Sequence, residues 1–336
     1  MTGSKHYQWL KKCLLAGTVL ALCVVVLGAY VRLSDAGLGC PDWPGCYGEL
    51  TVPESEAAIL QAQTAFPLST VHVGKAWKEM AHRYLAGALG LVVLSVFALS
   101  WRVKQELRVS PWLPTFLLLL IVFQAMLGMW TVTMLLKPAI VSAHLLGGMS
   151  TLAILTWLAH RHWGQYSDYL QDAKVLKYAV RLGLLILFGQ IFLGGWTSTN
   201  YAALACTDFP TCHGVWVPDM DFKDAFHLIR ELGQSADGGA LTLSAITAIQ
   251  WTHRIGALIT LIYLGILALN VLKYRALKHL GLVLITILLV QIGLGISNLV
   301  LHLPLVLAVA HNLGAALLVV ILVILNSKIT VGNKHS

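Results

Sequence analysis

The chain has 336 residues, 57% of them hydrophobic and only 11% charged, with a net charge of +8 and a mean hydropathy of +0.75. That composition excludes a soluble domain, which needs a more polar surface. It points to a bilayer, where the positive charge reads as a topological signal and no nucleic-acid surface is expected.

Eight apolar runs approach the roughly 20 residues that a membrane-crossing helix needs. They fall at about 13–31, 79–101, 112–136, 139–159, 177–197, 245–268, 279–301 and 304–326. Lipid offers the backbone no hydrogen bonds, so each run is expected as a helix. The first run is too long for a removable signal peptide and lacks its cleavage site, and it is no Arg- and Ser-rich presequence. A bacterial plasma membrane is therefore expected. Placing the N-terminus, 102–111, 160–178 with the adjoining Arg181, 269–278 and the C-terminus on one side collects 15 Lys and Arg there, Arg108 and Lys334 among them. The other side has six: Arg32, Lys75, Lys78, Lys137, Lys223 and Arg230. Both termini are thus expected in the cytoplasm.

Along the chain the elements recur. GLGCPDWPGC (37–46) follows the first run and is answered by ALACTDFPTC (203–212) after the fifth. MAHRYLAGALG (80–90) is answered by WTHRIGALIT (251–260), FQAMLG (123–128) by VQIGLG (290–295), and SAHLLGG (142–148) by VAHNLGA (309–315). The offsets run from 166 to 171, which marks a duplication. The expected fold is all-α and integral to the membrane. Eight transmembrane helices form two four-helix bundles, residues 1–170 and 171–336, related by a pseudo-two-fold axis along the membrane normal. Cys40, Cys46, Cys206 and Cys212 lie in the outer loops, where disulfides are permitted; Cys13 and Cys23 sit in the first helix as packing residues.

Of 13 histidines, four recur in register: His82, His144, His253 and His311. Each stands a few residues inside the outer end of its run, on the order of 6–12 Å deep at 1.5 Å per residue. One such residue alone reads equally as an interhelical hydrogen-bond former; four at one depth point to function. No Cys or Asp stands with them to complete a tetrahedral zinc site. An open iron site of two histidines and a carboxylate is conceivable in the first half only, where Glu79 is near. Haem needs two axial ligands and suits an apolar four-helix bundle, so two bis-His haem sites are the preferred reading. Small residues such as Ala81, Gly147, Gly256 and Gly314 leave room for a macrocycle, or merely let helices pack closely.

The halves diverge near the first histidine of each. Glu79 shares a helix face with His82, and its counterpart is the neutral Gln250. Glu79 is either a carboxylate that handles a proton or stabilises a cation, or an interface anchor for Lys75 or Lys78. Arg32 has Ser198 as its counterpart. Arg83 and Arg254 are shared and suit a haem propionate.

The strings VRLSDAGLGCPDWPGC, KEMAHR, SAHLLGG, QWTHRIGA and AHNLGAA resemble the haem A synthase family, over nearly the whole chain. The resemblance implies oxidation of the C8 methyl of haem O to a formyl group, by successive hydroxylations through a gem-diol, to supply haem A for terminal oxidases. It implies that His82 and His144 hold the substrate haem, His253 and His311 a permanent haem b, and that Glu79 is catalytic. It implies a Cys206–Cys212 disulfide, and a Cys40–Cys46 pair carried by only some members. The Cys loops would lie on the outer face. Expected partners are the lipid bilayer, haem O handed over by a haem O synthase, an electron donor the sequence does not name, and a second copy of the chain as an option. The alternative functions are a bis-haem b-type membrane electron carrier that leaves its haem unmodified, and a haem transporter.

Overall fold

The structure, a computed structural model, describes residues 4–107, 109–163, 174–235 and 238–331. Arg108 and Lys334 of the basic side, and the expected division after residue 170, lie outside these residues. The described chain is helical, with isolated β-bridges in its loops. Its helices are α1 (Lys5–Leu33), α2 (Glu56–Ala65), α3 (Val73–Arg102), α4 (Trp112–Thr133), α5 (Pro138–Trp163), α6 (Lys174–Thr199), α7 (Phe222–Ala225), α8 (Leu243–Leu272), α9 (Lys278–Val300) and α10 (Leu305–Val331). Eight of them, all but α2 and α7, are long and apolar enough to cross a membrane.

Several helices begin before their apolar runs, because capping groups and not hydropathy set the start. Ser4 accepts the N–H of Tyr7 at the head of α1, and Thr242 accepts that of Ala245 at the head of α8. Pro138 opens α5 and Pro304 precedes α10, where a missing N–H costs no helical bond.

The helices close into two rings. α1 packs on α3, α3 on α4, α4 on α5 and α5 back on α1; α6, α8, α9 and α10 repeat that order. Between the rings α5 meets α10, α1 meets α10 and α5 meets α6. Exchanging α1 with α6 and α5 with α10 turns this set of contacts into itself. One apolar core runs through both rings, with Leu14, Leu155, Leu264 and Leu322 fully buried.

The duplication extends to the backbone. Tyr47 and Gly48 are left-handed, and so are His213 and Gly214; Leu135 and Leu136 are left-handed, and so are His302 and Leu303. Non-glycine residues seldom adopt this conformation, so its return at matched positions shows two copies of one turn. At the basic end Tyr7 Oη meets His162 Nδ1 at 3.1 Å, Trp163 Nε1 donates to the Lys11 carbonyl at 2.9 Å, and His160 Nδ1 meets Ser327 Oγ at 2.9 Å. The two Cys loops cap the opposite end.

The first loop rests on α3 backbone to backbone. A Cβ at Gly39 would stand 2.7 Å from the Lys75 carbonyl, whereas one at Gly90 would meet nothing within 4 Å. Gly39→Ala is expected to cost about 1–3 kcal/mol by overpacking and to lower the thermal midpoint of the detergent-solubilised protein. Gly90→Ala should leave the midpoint unchanged or raise it. Equal midpoints for the two variants would contradict this seating.

Candidate functional site

Each outer loop is tied down in the same way. Cys40 is bonded to Cys46, and Cys206 to Cys212. Inside the first loop Asp42 accepts the N–H groups of Tyr47 and Gly48, both at 2.7 Å; inside the second Asp208 accepts those of His213 and Gly214 at 2.7 and 3.0 Å. The Thr211 hydroxyl and the Gly214 N–H hold the Asp208 carboxyl well below the usual carboxylate range.

Beneath each loop one polar side chain of the following helix takes the N–H of the first cysteine. In the first half Glu79 Oε2 accepts from Cys40 at 3.0 Å; in the second the Gln250 side-chain oxygen accepts from Cys206. One turn on, an arginine binds loop carbonyls. Arg83 Nη1 donates to Asp42 at 2.8 Å and to Gly45, and Arg254 donates to Thr211 at 2.8 Å and Cys206 at 3.0 Å. Arg83 also pairs with Glu79 Oε1. The anchor reading of Glu79 is thereby corrected. Its partners are Arg83 and the Cys40 amide, because the carboxylate is turned inward and only 4% exposed. Lys75 is exposed, and the Lys78 ammonium lies 5.1 Å from the Tyr30 ring. The arginines expected at a propionate spend much of their five-donor fork on the loops.

Below this layer stand the histidines. His82 lies nine residues into α3, about 14 Å along it, and His144 six residues into α5, about 9 Å. Their ring centroids are 6.5 Å apart and their planes cross at 83°. Two metal–nitrogen bonds of about 2.0 Å plus the two ring radii fill such a gap. His253 and His311 stand at the corresponding places in α8 and α10. All four histidines are half-buried. Nδ1 of His82, His144 and His311 is buried without a hydrogen-bond partner, and that of His253 faces Gln190 Nε2 at 3.0 Å. Among the described residues no cluster of three or more His, Cys, Asp or Glu could hold a bare ion. Two imidazoles per half suit a metal that brings its own further ligands, as haem does.

Glycines set the position of each ring. A Cβ at Gly28 would stand 2.9 Å from His82 Cε1, at Gly128 3.2 Å from that of His144, at Gly194 3.2 Å from that of His253, and at Gly295 3.1 Å from that of His311. Each half is thus two helical hairpins, and in every hairpin the histidine of the second helix lies on a glycine of the first. Four residues before three of these glycines stands a glutamine. The Nε2 groups of Gln124 and Gln190 donate to the carbonyls of His144 and His253, the latter at 3.1 Å, and Gln291 Nε2 lies 3.4 Å from His311 Nε2. Each amide occupies the space over a second glycine, Gly147, Gly256 or Gly314, where a Cβ would overlap its Oε1. The repeat of FQAMLG in VQIGLG carried Gln124 and Gln291 without a role. Gln190, in FGQIFLGG, was missed; a search for Gln-x3-Gly ahead of each histidine would have found all three.

The chain matches the family described as cytochrome oxidase assembly protein (COX15-CtaA) over residues 11–323. It is similar to a heme A synthase of Shewanella oneidensis, 47% identical over 320 residues that cover 95% of each chain. It is also similar to heme A synthases of Caulobacter vibrioides, at 27% identity with 90% of each chain covered, and of Halalkalibacterium halodurans, at 27% identity with 71% of this chain and 75% of the other covered. With the paired histidines and their loops, a match of this extent is decisive: the chain belongs to the cytochrome oxidase assembly protein family.

Proposed function

We propose that the chain is a membrane oxidoreductase that converts haem O to haem A, the activity named for its relatives. One observation carries the reading above the others. Imidazoles His82 and His144 stand 6.5 Å apart beneath a loop held by the ionisable pair Glu79–Arg83, while His253 and His311 lie beneath a loop held by neutral Gln250. On this reading His82 and His144 hold the substrate, and His253 and His311 hold haem b, which when bound supplies one-electron transfer.

The residues of the first half then have separate tasks. The two imidazoles fix the substrate ring beneath the Cys40–Cys46 loop, which covers it from water. Arg83 holds that loop by its carbonyls and pairs with the Glu79 carboxyl. Taking two electrons from a methyl group on the macrocycle, to an oxidant supplied from outside the chain, leaves positive charge on that carbon and releases one proton. Glu79, one turn before His82 on the same face, is the group that stabilises the charge or takes the proton. Gln250, which cannot ionise, leaves the second half to electron transfer.

The basic end is assigned to the cytoplasm and the Cys loops to the outer face, by the Lys and Arg asymmetry. Two contacts support a pseudo-two-fold axis along the membrane normal. At the basic end His160 meets Ser327, and at the loop end Arg32 Nη2 donates to the Ser198 carbonyl at 3.0 Å. Each pair joins equivalent positions, offset by 167 and 166. A residue meets its own equivalent only on the axis, and these pairs sit at opposite ends of the bundle.

Glu79→Gln isolates the charge, since a glutamine can accept the Cys40 N–H as Gln250 accepts that of Cys206. Haem content should persist while conversion falls about 100-fold or more, read by extracting the haems and weighing them; normal conversion would remove Glu79 from the chemistry. His311→Ala should strip haem b and leave haem O or its oxidised forms bound, and His144→Ala should do the reverse. Loss of the same haem from both variants would overturn the division between the halves.

A further inference from the structure

Three hairpins carry a glutamine lock and the fourth does not. In α1 the place of Gln124, Gln190 and Gln291 is taken by Val24, four residues before Gly28. In α3 the place of Gly147, Gly256 and Gly314, three residues after each histidine, is taken by Leu85. The two changes go together for a steric reason. The amide fills the space above the glycine, so where the amide is gone a side chain can return.

We infer that the glutamines are positioning residues that fasten His144, His253 and His311, and that His82 is the one ligand free to leave, making the α1–α3 side the exit of the first site. This deepens the reading that the first half holds substrate and the second a permanent haem, and it rests on that reading. Pulling His144 or His253 away from its neighbour breaks the bond from glutamine to the histidine's own carbonyl and strands a buried amide. At His311 the amide reaches the ring itself. His82 has the bare surface of Gly28 under its ring, and its Nδ1 is buried without a hydrogen-bond partner. A product haem must leave the site in which it was made, whereas a permanent one must not. One released ligand out of four meets both requirements. The absence of the lock falls on the same helix as Glu79, although the two features share no residue.

The test follows haem transfer from the purified, fully loaded protein to excess apomyoglobin, by Soret absorbance, with the haem left behind identified by mass. In the wild type the haem of the first half should leave and haem b should stay. Installing the lock with Val24→Gln and Leu85→Gly should slow that departure about tenfold, the factor that corresponds to roughly one interhelical hydrogen bond. Removing it from the last hairpin with Gln291→Val and Gly314→Leu should speed the loss of haem b by about the same factor. The undisturbed haem of each variant reports that the protein is folded. Unchanged rates in both variants, or two haems that leave the wild type equally fast, would overturn the inference alone. A wild-type protein whose second half holds no haem would overturn the proposed function and the inference with it.

Discussion

In a bilayer the lipid tails are as apolar as leucine, so helices gain little by hiding leucines from them. What distinguishes one helix pairing from another is close packing at small residues and polar contacts across the interface. In this protein the recurring contact is an imidazole laid on a glycine of the preceding helix, made four times with Cε1 about 3 Å from where a Cβ would be. Any side chain at Gly28, Gly128, Gly194 or Gly295 would push the ring away and move both helices. The contact therefore fixes the hairpin and aims the histidine together. Fold and site are not separable here, because the same pair of atoms sets helix separation and histidine position.

The outer loops depend on that arrangement. Each is short, closed by a disulfide and knotted internally by an aspartate, so it behaves as a rigid piece. Its connection to the membrane part comes from residues on the histidine helix: Glu79 and Arg83 flank His82, and Gln250 and Arg254 flank His253. A loop of this kind reports the position of its helix. In the first half the fastening includes a buried ion pair, which is costly to break because either partner alone would be left charged and poorly solvated. In the second half neutral Gln250 meets the same cysteine amide without that cost, and its Nε2 is taken up by Ala203.

Much of this was legible in the sequence because duplication doubles every signal. The eight spans, the two Cys-x5-Cys loops and the histidines stood out by recurring at nearly one offset; helix starts were displaced where caps such as Ser4 and Thr242 extend a helix past its apolar run, and at α3, which starts at Val73 without a side-chain cap. The partners of Glu79 were not legible. Lys75, Lys78 and Arg83 are all within a turn of it, and choosing among them needs the direction in which the side chain is turned. The loop carbonyls that occupy Arg83 and Arg254 were invisible for the same reason, since backbone acceptors leave no residue type to notice. The finer repeat, two hairpins within each half, was hidden because it is conveyed by glutamine and glycine at helical spacing, which elsewhere would mean only packing.

That finer repeat changes how the divergence of the halves is understood. Glu79 against Gln250 is a difference in charge at the loop, and by itself it could reflect the needs of either copy. Val24 with Leu85 is a difference in mechanical restraint, located below the ring and not above it. Four hairpins built to one plan make the exception measurable against three controls inside the same molecule. The exception and the extra charge both belong to His82, one altering how firmly the histidine is held and the other what can happen beside it. A site that must transform its occupant and then surrender it needs both alterations, and a site that only keeps its occupant needs neither.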